Sequence, residues 1–276
     1  MKNQITAIVV VYQKKLNAVP SLVILEEALN QGILSELIIY DNSYDEQKSH
    51  MISPLIHYVH NRQNVGLAMA YNYALARANQ KDANLLLLLD QDTEVPMSYL
   101  SSLTQVDVTY HLAACLPLIY SGGNQISPVY VDNYIGKESK NVPVGLTTTP
   151  LMAINSGAAI SVSALKEIGG FNEEFPLDYL DHWLFWRLSQ LNKEFLVMDE
   201  TLAHDLSVLD YSQVSTQRYE SIIRSETLYF TKYNIDNLVP HRRHLKKRLA
   251  KQFLTVKNRE IYKRTLVEIK RLKKGE

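Results

Sequence analysis

"LLLLLDQDTEVP", residues 85–96, sets five consecutive leucines directly before two carboxylates, Asp90 and Asp92, with only Gln91 between them. An apolar run this short and this complete fits a strand covered on both faces, as at the centre of a parallel sheet. In extended chain the side-chain period is two, so the two carboxylates are expected to point the same way. Like charges side by side repel unless a cation lies between them or one takes a proton. The stretch therefore predicts a buried strand whose end holds a metal. A solvated turn after a strand gives the same triplet, so the surrounding chain has to decide.

Outward from that strand, apolar runs alternate with helical patterns. "TAIVVVY" (6–12) reads as a buried strand and "PSLVILEEALNQG" as a helix, with Pro20 near its start and Gly32 at its end. "ELIIYDNS" (36–43) and "LIHYVHN" (55–61) read as further strands, and "GLAMAYNYALARAN" (66–79) has helical spacing. This alternation predicts a doubly wound, mostly parallel sheet, in which ligands bind beyond the carboxyl ends of the strands. Polar residues fall at those ends: Asp41 and Asn42, then Asn64 before a glycine, then Asp90 and Asp92. Further on, "LAACLPLIY" reads as a strand, "INSGAAIS" as strand or turn, "VSALKEIGG" as a short helix and "LDYLDHWLFWRLSQLN" (177–192) as an amphipathic helix opened by acids. "EFLVMDE" is a last strand, and from about residue 213 the pattern is helical and basic.

The 276 residues carry a formal charge of zero, which hides an asymmetry. Residues 241–276 hold 14 Lys/Arg against 3 Asp/Glu, and the other 240 hold 15 against 26. Such a segment suits phosphate-bearing partners, an anionic membrane surface among them, or is simply a solvated helix. No recognisable nucleic-acid-binding module accompanies it, so no nucleic-acid partner is expected. The single cysteine, Cys115, excludes an internal disulfide and suits a reducing compartment. The apolar runs are far below the roughly 18 residues of a spanning helix. "AIVVVY" runs into "QKK" without a small-residue cleavage site, so it reads as a strand and not a signal peptide. A soluble, cytoplasmic protein is expected, peripheral at the inner face of the cell membrane if the basic segment binds lipid.

Several groups could carry chemistry. Asp90-Gln91-Asp92 suits Mg²⁺ or Mn²⁺ bridging carboxylates and the phosphates of a nucleotide. Asp41 with Asn42 can accept from ribose hydroxyls or a base, or can cap a turn. "NVGLA" (64–68) places an amide and Gly66 at a helix start, where backbone N–H groups favour an anionic or polar ligand, or is an ordinary helix entry. Asp178 and Asp181, three apart, are expected on one helix face with Trp183, Phe185 and Trp186 following. A carboxylate there suits a general base acting on a sugar hydroxyl, with rings such as Trp183 as stacking surfaces for substrate; first-turn acids also stabilise a helix dipole. His204 could complete a metal site, and Arg218 and Arg224 could clamp a diphosphate or be surface charges.

The order "TAIVVVY…IIYDNS…NVGLAMAYNYAL…LLLLDQDT…NSGAAIS…GGFNEEFPLDYLDHWLFWR…H…RYESIIR" resembles family 2 glycosyltransferases of the GT-A fold, especially bacterial rhamnosyltransferases, from residue 4 to about 230. The resemblance implies that Asp41 binds the nucleoside, that Asn64 and Gly66 line base and ribose, and that Asp92 binds the metal with Asp90 on the ribose or behind the metal. It implies Asp181 as catalytic base, His204 as a late metal ligand and Arg224 facing the diphosphate. Two positions depart from the family pattern: Trp183 stands where an acid often follows the base, and Ser207 where a glycine often follows the histidine.

The expected fold is therefore α/β, a mixed, mostly parallel GT-A sheet flanked by helices. Residues 1–212 would form the catalytic domain, with nucleotide-sugar binding in about 1–95 and the acceptor side in about 96–212, and residues 213–276 a basic helical extension. The implied activity is metal-dependent, inverting transfer of a sugar, L-rhamnose from dTDP-rhamnose, to a hydroxyl of a cell-surface polysaccharide or its lipid-linked precursor. Two other classes compete with this one. Against a non-catalytic nucleotide-sugar or partner-binding subunit stands the intact set Asp92, Asp181 and His204, and metal-dependent donor hydrolysis separates the two. A dinucleotide oxidoreductase would carry G-x-G-x-x-G after the first strand, where this chain has "VYQKKLNAVP".

Overall fold

The computed structural model describes residues 3–47, 53–121, 123–131, 140–203 and 214–274. The first elements alternate as expected: β1 (Ile5–Val11), α1 (Ser21–Asn30), β2 (Glu36–Asp41), β3 (Ile56–His60), α2 (Gly66–Gln80) and β4 (Leu85–Asp90). There follow α3 (Met97–Leu103), β5 (Leu112–Ser121), β6 (Asn124–Ser127), β7 (Val129–Tyr130), β8 (Gly145–Thr147), β9 (Leu151–Met152) and β10 (Ala159–Ser161). Then come α4 (Val162–Ile168), α5 (Leu180–Ser189), β11 (Glu194–Ala203), α6 (Thr216–Leu228), α7 (Leu238–Thr255) and α8 (Arg259–Lys274). The chain packs as two compact units, Met1–Tyr130 with Lys140–Asp205, and Val131–Ser139 with Leu206–Glu276.

Among the described residues, the first unit is built on a sheet ordered β3-β2-β1-β4-β10-β5-β11-β8, with β6 on β5. The run β3-β2-β1-β4 is parallel, β10 is antiparallel to both neighbours, and β5 with β11 is parallel again. The five leucines of β4 are all fully buried. Leu85, Leu87 and Leu89 share a core with α1 and α3, while Leu86 and Leu88 face the other side, where α2 packs. Apolar residues at every position are thus explained by helices on both faces. Alanines 68, 70, 74 and 78 let α2 lie close against β1 and β4. The chain leaves β1 towards β2 and β3 on one side and returns to β4 on the other. The switch point of the sheet is consequently the crevice beyond the carboxyl ends of β1 and β4.

Two sequence expectations are corrected here. The strand stops at Asp90, and the Thr93 N–H donates to the Asp90 carbonyl (3.3 Å) across a turn through Gln91 and Asp92. The two carboxylates therefore do not share a strand face, because the chain leaves the sheet directly after Asp90. Asp178 and Asp181 do not share a helix face either. Tyr179 sits at φ 65° in the left-handed region, so α5 begins at Leu180 and Asp178 lies in the preceding turn. Of the two acids, only Asp181 is in the first helical turn.

The second unit is helical from residue 216. Tyr219, Ile223, Leu245, Ile261, Ile269 and Leu272 form its apolar core. Polar groups are buried beside it in pairs. Glu226 takes two hydrogen bonds from Arg248 (2.6 and 2.7 Å), and Gln252 joins Tyr219 to Thr265 through bonds of 2.7 Å. His241 is fully buried and stacks on Phe230 with ring centres 4.4 Å apart.

Candidate active site

Register places two of the acids at one level of the sheet. Val11 of β1 pairs with Asp41 and Val10 with Asp90, two strand spacings or about 10 Å apart across β1. Because Val10 and Val11 point oppositely, Asp41 emerges on the α1 face and Asp90 on the α2 face. Asp41 is fully buried. Its Oδ1 accepts from the Ser43 N–H (2.9 Å), and Oδ2 accepts from the Tyr58 hydroxyl (2.8 Å) and Gln47 Nε2 (3.1 Å). Burial, reinforced by the bond to Asp41, pushes the Tyr58 phenol up to about 12, so it remains a donor at neutral pH. Asn42 donates through Nδ2 to the Gly66 carbonyl (3.2 Å), and its buried Oδ1 has no hydrogen-bond partner among the described residues. A donor group of a ligand could fill that acceptor.

Gly66 is required for two reasons. It lies at φ 84°, and an added Cβ would stand 2.3 Å from the Pro176 carbonyl oxygen. That carbonyl accepts from the Leu67 N–H (2.6 Å) and the Ala68 N–H (3.4 Å). The expectation that these first-turn amides of α2 serve an anionic ligand is thus corrected: the chain just before α5 occupies them. Asn72 makes a second tie, accepting from the Phe171 N–H (2.7 Å) and donating to its carbonyl (2.9 Å). Tyr71 makes a third, its ring 5.1 Å from that of Phe171. One helix therefore positions the segment that leads into Asp181.

The end of β4 is pinned as firmly. Ser156 Oγ accepts from the Asp90 N–H (2.8 Å), and Gln91 Oε1 accepts from the Tyr12 N–H (2.8 Å). Lys14 Nζ donates to the Gln91 carbonyl (3.1 Å), which brings a cation to the switch point. Asp90 is half-buried and Asp92 exposed. Tyr71 of α2 is fully buried. Burial first, then the charges of Asp90 and Asp181, hold its phenol well above the usual range. α2 thus joins the end of β4 to the start of α5. Asp181 Oδ1 accepts from the His182 N–H (2.8 Å) and lies 2.9 Å from His182 Nδ1, while Tyr179 stacks on the His182 ring at 4.3 Å. Trp183 is buried at 6% exposure, so little of its ring is displayed for stacking.

The donor set at this end of the sheet suits a hard divalent cation. Mg²⁺ and ions like it need one or two carboxylates and take their other ligands from phosphates and water. Asp92 and Asp90 offer that set, and no group of three or more His, Cys, Asp or Glu residues is assembled among the described residues. His204 lies outside the described residues. Arg224 belongs to the second unit, on α6, where it is 63% exposed and pairs with Glu220 (2.5 Å). Sequence reasoning missed Tyr71, Asn72, Ser156, His182 and Lys14. His182 could have been noticed beside Asp181, but Tyr71 looks like any core aromatic in an alanine-rich helix.

Comparison with known proteins gives the class. The family model described as "Glycosyl transferase family 2" matches residues 6–169, more than half of the chain, and the chain belongs to that family. Its fold is GT-A, as its solved neighbours also indicate. GalNAc-T7, solved with UDP, GalNAc and Mn²⁺, superposes with a TM-score of 0.60 at 14% identity, over 84% of this chain and 49% of that one. A mannosyltransferase of Pyrobaculum calidifontis, solved with GDP-Man and Mn²⁺, gives 0.52 at 12% identity, over 98% and 87%. TarS of S. aureus gives 0.50 at 13%, over 82% and 43%. The chain thus spans about half the length of the first of these, and at such identities the likeness is one of fold. No curated protein matches the sequence. Among the described residues, no helix is long and apolar enough to cross a membrane.

Proposed function

We propose that this chain is an inverting glycosyltransferase that moves a sugar from a nucleoside diphosphate donor to an acceptor hydroxyl. The observation that carries the reading is that α2, packed on β1 and β4 beside the switch point, also holds the segment leading into Asp181 through Leu67, Ala68 and Asn72. There a donor held at the carboxyl ends of β1 and β4 lies next to a carboxylate able to take a proton. Asp41, Asn42, Asn64 and Gly66 line the nucleoside side. Asp92, with Asp90 and His204, would hold Mg²⁺ or Mn²⁺. When bound, the cation neutralises charge on the departing diphosphate.

Asp181 acts as general base. With Oδ1 engaged by His182, Oδ2 takes the acceptor proton as the acceptor oxygen attacks the anomeric carbon from the face opposite the nucleotide. The bond from that carbon to the diphosphate breaks, and its electron pair leaves with the phosphate oxygen. A single displacement needs no covalent sugar–enzyme intermediate. The donor assigned is dTDP-rhamnose, and the acceptor a cell-surface polysaccharide or its lipid-linked precursor, met at the inner face of the cell membrane. Incubation with a panel of nucleotide sugars, with and without Mn²⁺ or Mg²⁺, tests this. Cation-dependent release of nucleoside diphosphate is expected, greatest from dTDP-rhamnose. Binding of donor with no release under any condition would mark a binding subunit instead.

A further inference from the structure

In the second unit, α7 and α8 pack on each other and are joined by the short turn at residues 256–258. Over residues 241–273, ten lysines and arginines are exposed against one exposed acid, Glu260, which is paired with Lys263 (2.7 Å). Glu268 is buried. The cations are arranged in stripes. On α7, Arg243, Lys247, Lys251 and Leu254 follow at steps of four, four and three, and all are exposed. On α8, Arg259, Lys263, Val267 and Lys270 repeat those steps and are also exposed. The opposite face of α8 is committed to the core through Ile261, Ile269 and Leu272.

Two large apolar side chains stand where the stripes meet. Leu254 is 80% exposed, the most of any large apolar side chain among the described residues, and its neighbour Phe253 is 55% exposed. Phe253 is held in that position. Arg259 donates to its carbonyl (2.6 Å) and sets its guanidinium 5.2 Å from the ring centre, while Tyr262 packs edge-on at 5.6 Å. Single exposed apolar residues need no explanation, but an adjacent pair fixed at the apex of a cationic hairpin does. Leucine has no flat face on which a base could stack, so the pair fits hydrocarbon better than nucleic acid. Lysine stems can lie along apolar surface while their charges stay at the phosphate level.

We propose that the α7–α8 turn is a membrane-docking tip, with Phe253 and Leu254 entering the headgroup–acyl boundary of a bilayer whose anionic lipids meet the flanking basic stripes. The proposal rests on the reading that the acceptor is met at a membrane, and it names the surface that makes the contact. An amphipathic element with a cationic face binds in this way, by apolar burial and attraction to anionic headgroups together.

Flotation of the full chain with phosphatidylcholine vesicles, alone and with phosphatidylglycerol, tests the proposal. Binding is expected only with phosphatidylglycerol and should weaken as salt rises. Phe253→Ser with Leu254→Ser should reduce partitioning roughly tenfold or more, and Lys247→Gln with Lys251→Gln roughly 30-fold. Both pairs are at the surface, and unchanged thermal unfolding would show that the fold is kept. Binding that survives the serine pair, binding to neutral vesicles alone, or no binding to vesicles overturns the proposal. So does tighter binding to duplex DNA that the serine pair leaves unchanged. Turnover on a water-soluble acceptor, measured on the same variants, separates the two readings. Vesicle binding without turnover would sink the enzyme assignment alone, and turnover without vesicle binding the docking tip alone.

Discussion

Replacing Gly66 with alanine puts a methyl carbon 2.3 Å from the Pro176 carbonyl oxygen while holding an L-residue at φ +84°. Ordinary contact begins near 3.4 Å, so the backbone at Pro176 must retreat by about 1 Å. The left-handed conformation costs about 1–2 kcal/mol, and lost freedom of the unfolded chain returns about 0.4–1 kcal/mol. Crowding against backbone adds roughly 1–3 kcal/mol. The net loss is then roughly 1–5 kcal/mol. Gly32→Ala is the matched control: it also has positive φ (+65°), but its Cβ would meet nothing within 4 Å. It should cost about 1 kcal/mol or less, since only the first two effects operate. Urea unfolding of both variants gives the difference. Pro176 is five residues from Asp181, and a displacement of about 1 Å at a reacting group can cost roughly 100-fold in rate. Gly66→Ala should therefore lose turnover as well as stability, and Gly32→Ala should keep its turnover. If the two variants unfold alike and both turn over normally, the tie between α2 and the catalytic segment is not what positions Asp181.

Asp92→Ala should remove the cation dependence of donor binding and leave unfolding unchanged, because Asp92 is exposed at the end of a turn; titration of donor with and without Mn²⁺ reads this directly. Asp178→Asn should lower turnover by less than about tenfold, since that residue lies in the turn ahead of α5 and the general-base contribution, about 10²–10⁴-fold, is proposed for Asp181. Acid should loosen the second unit. Burial outweighs the pull of Glu226 and pushes the His241 imidazole down to about 4, while Arg248 lowers Glu226 against the opposite effect of its own burial. Both groups bind protons more readily unfolded than folded: the His241 contribution, present above about pH 6.5, is lost as pH falls towards 4, and that of Glu226 is lost only below about 4.5. His241 alone contributes up to about 3 kcal/mol of that loss. Urea unfolding across this range should show it, His241→Phe should flatten the dependence, and a flat profile in the unaltered protein would contradict the burial argument.

How far the sequence revealed all this depends on whether the contacts are local. The leucine run of β4 and the strand–helix alternation around it are local patterns, and they gave the α/β class and the crevice where polar residues gather. The insertion of β10 between β4 and β5 was invisible, because Ala159 and Ile160 find partners about 70 residues and 45 residues away. The end of β4 was misjudged because a period of two holds only while the chain stays extended, and Gln91 already turns. Tyr179 was missed as a break because a left-handed tyrosine leaves no mark in sequence, unlike glycine. The amides of Leu67 and Ala68 were assigned to a ligand because nothing local shows that Pro176 will reach them. Asp41, Asp90 and Asp181 stood out as acids at element ends, whereas Tyr71, which packs on Phe171 ahead of Asp181, did not.

The central claim is that Asp181 takes the acceptor proton at a nucleotide-sugar site on the carboxyl end of this sheet. Asp181→Asn keeps the shape of the side chain and removes its ability to accept that proton. The most direct measurement is the pair of donor affinity and transfer rate for the unaltered chain and this variant, with dTDP-rhamnose, Mn²⁺ and a hydroxyl acceptor. The expected result is donor affinity within a few-fold and a transfer rate lower by about 10²–10⁴-fold. A variant that transfers sugar as fast as the unaltered chain would contradict the account.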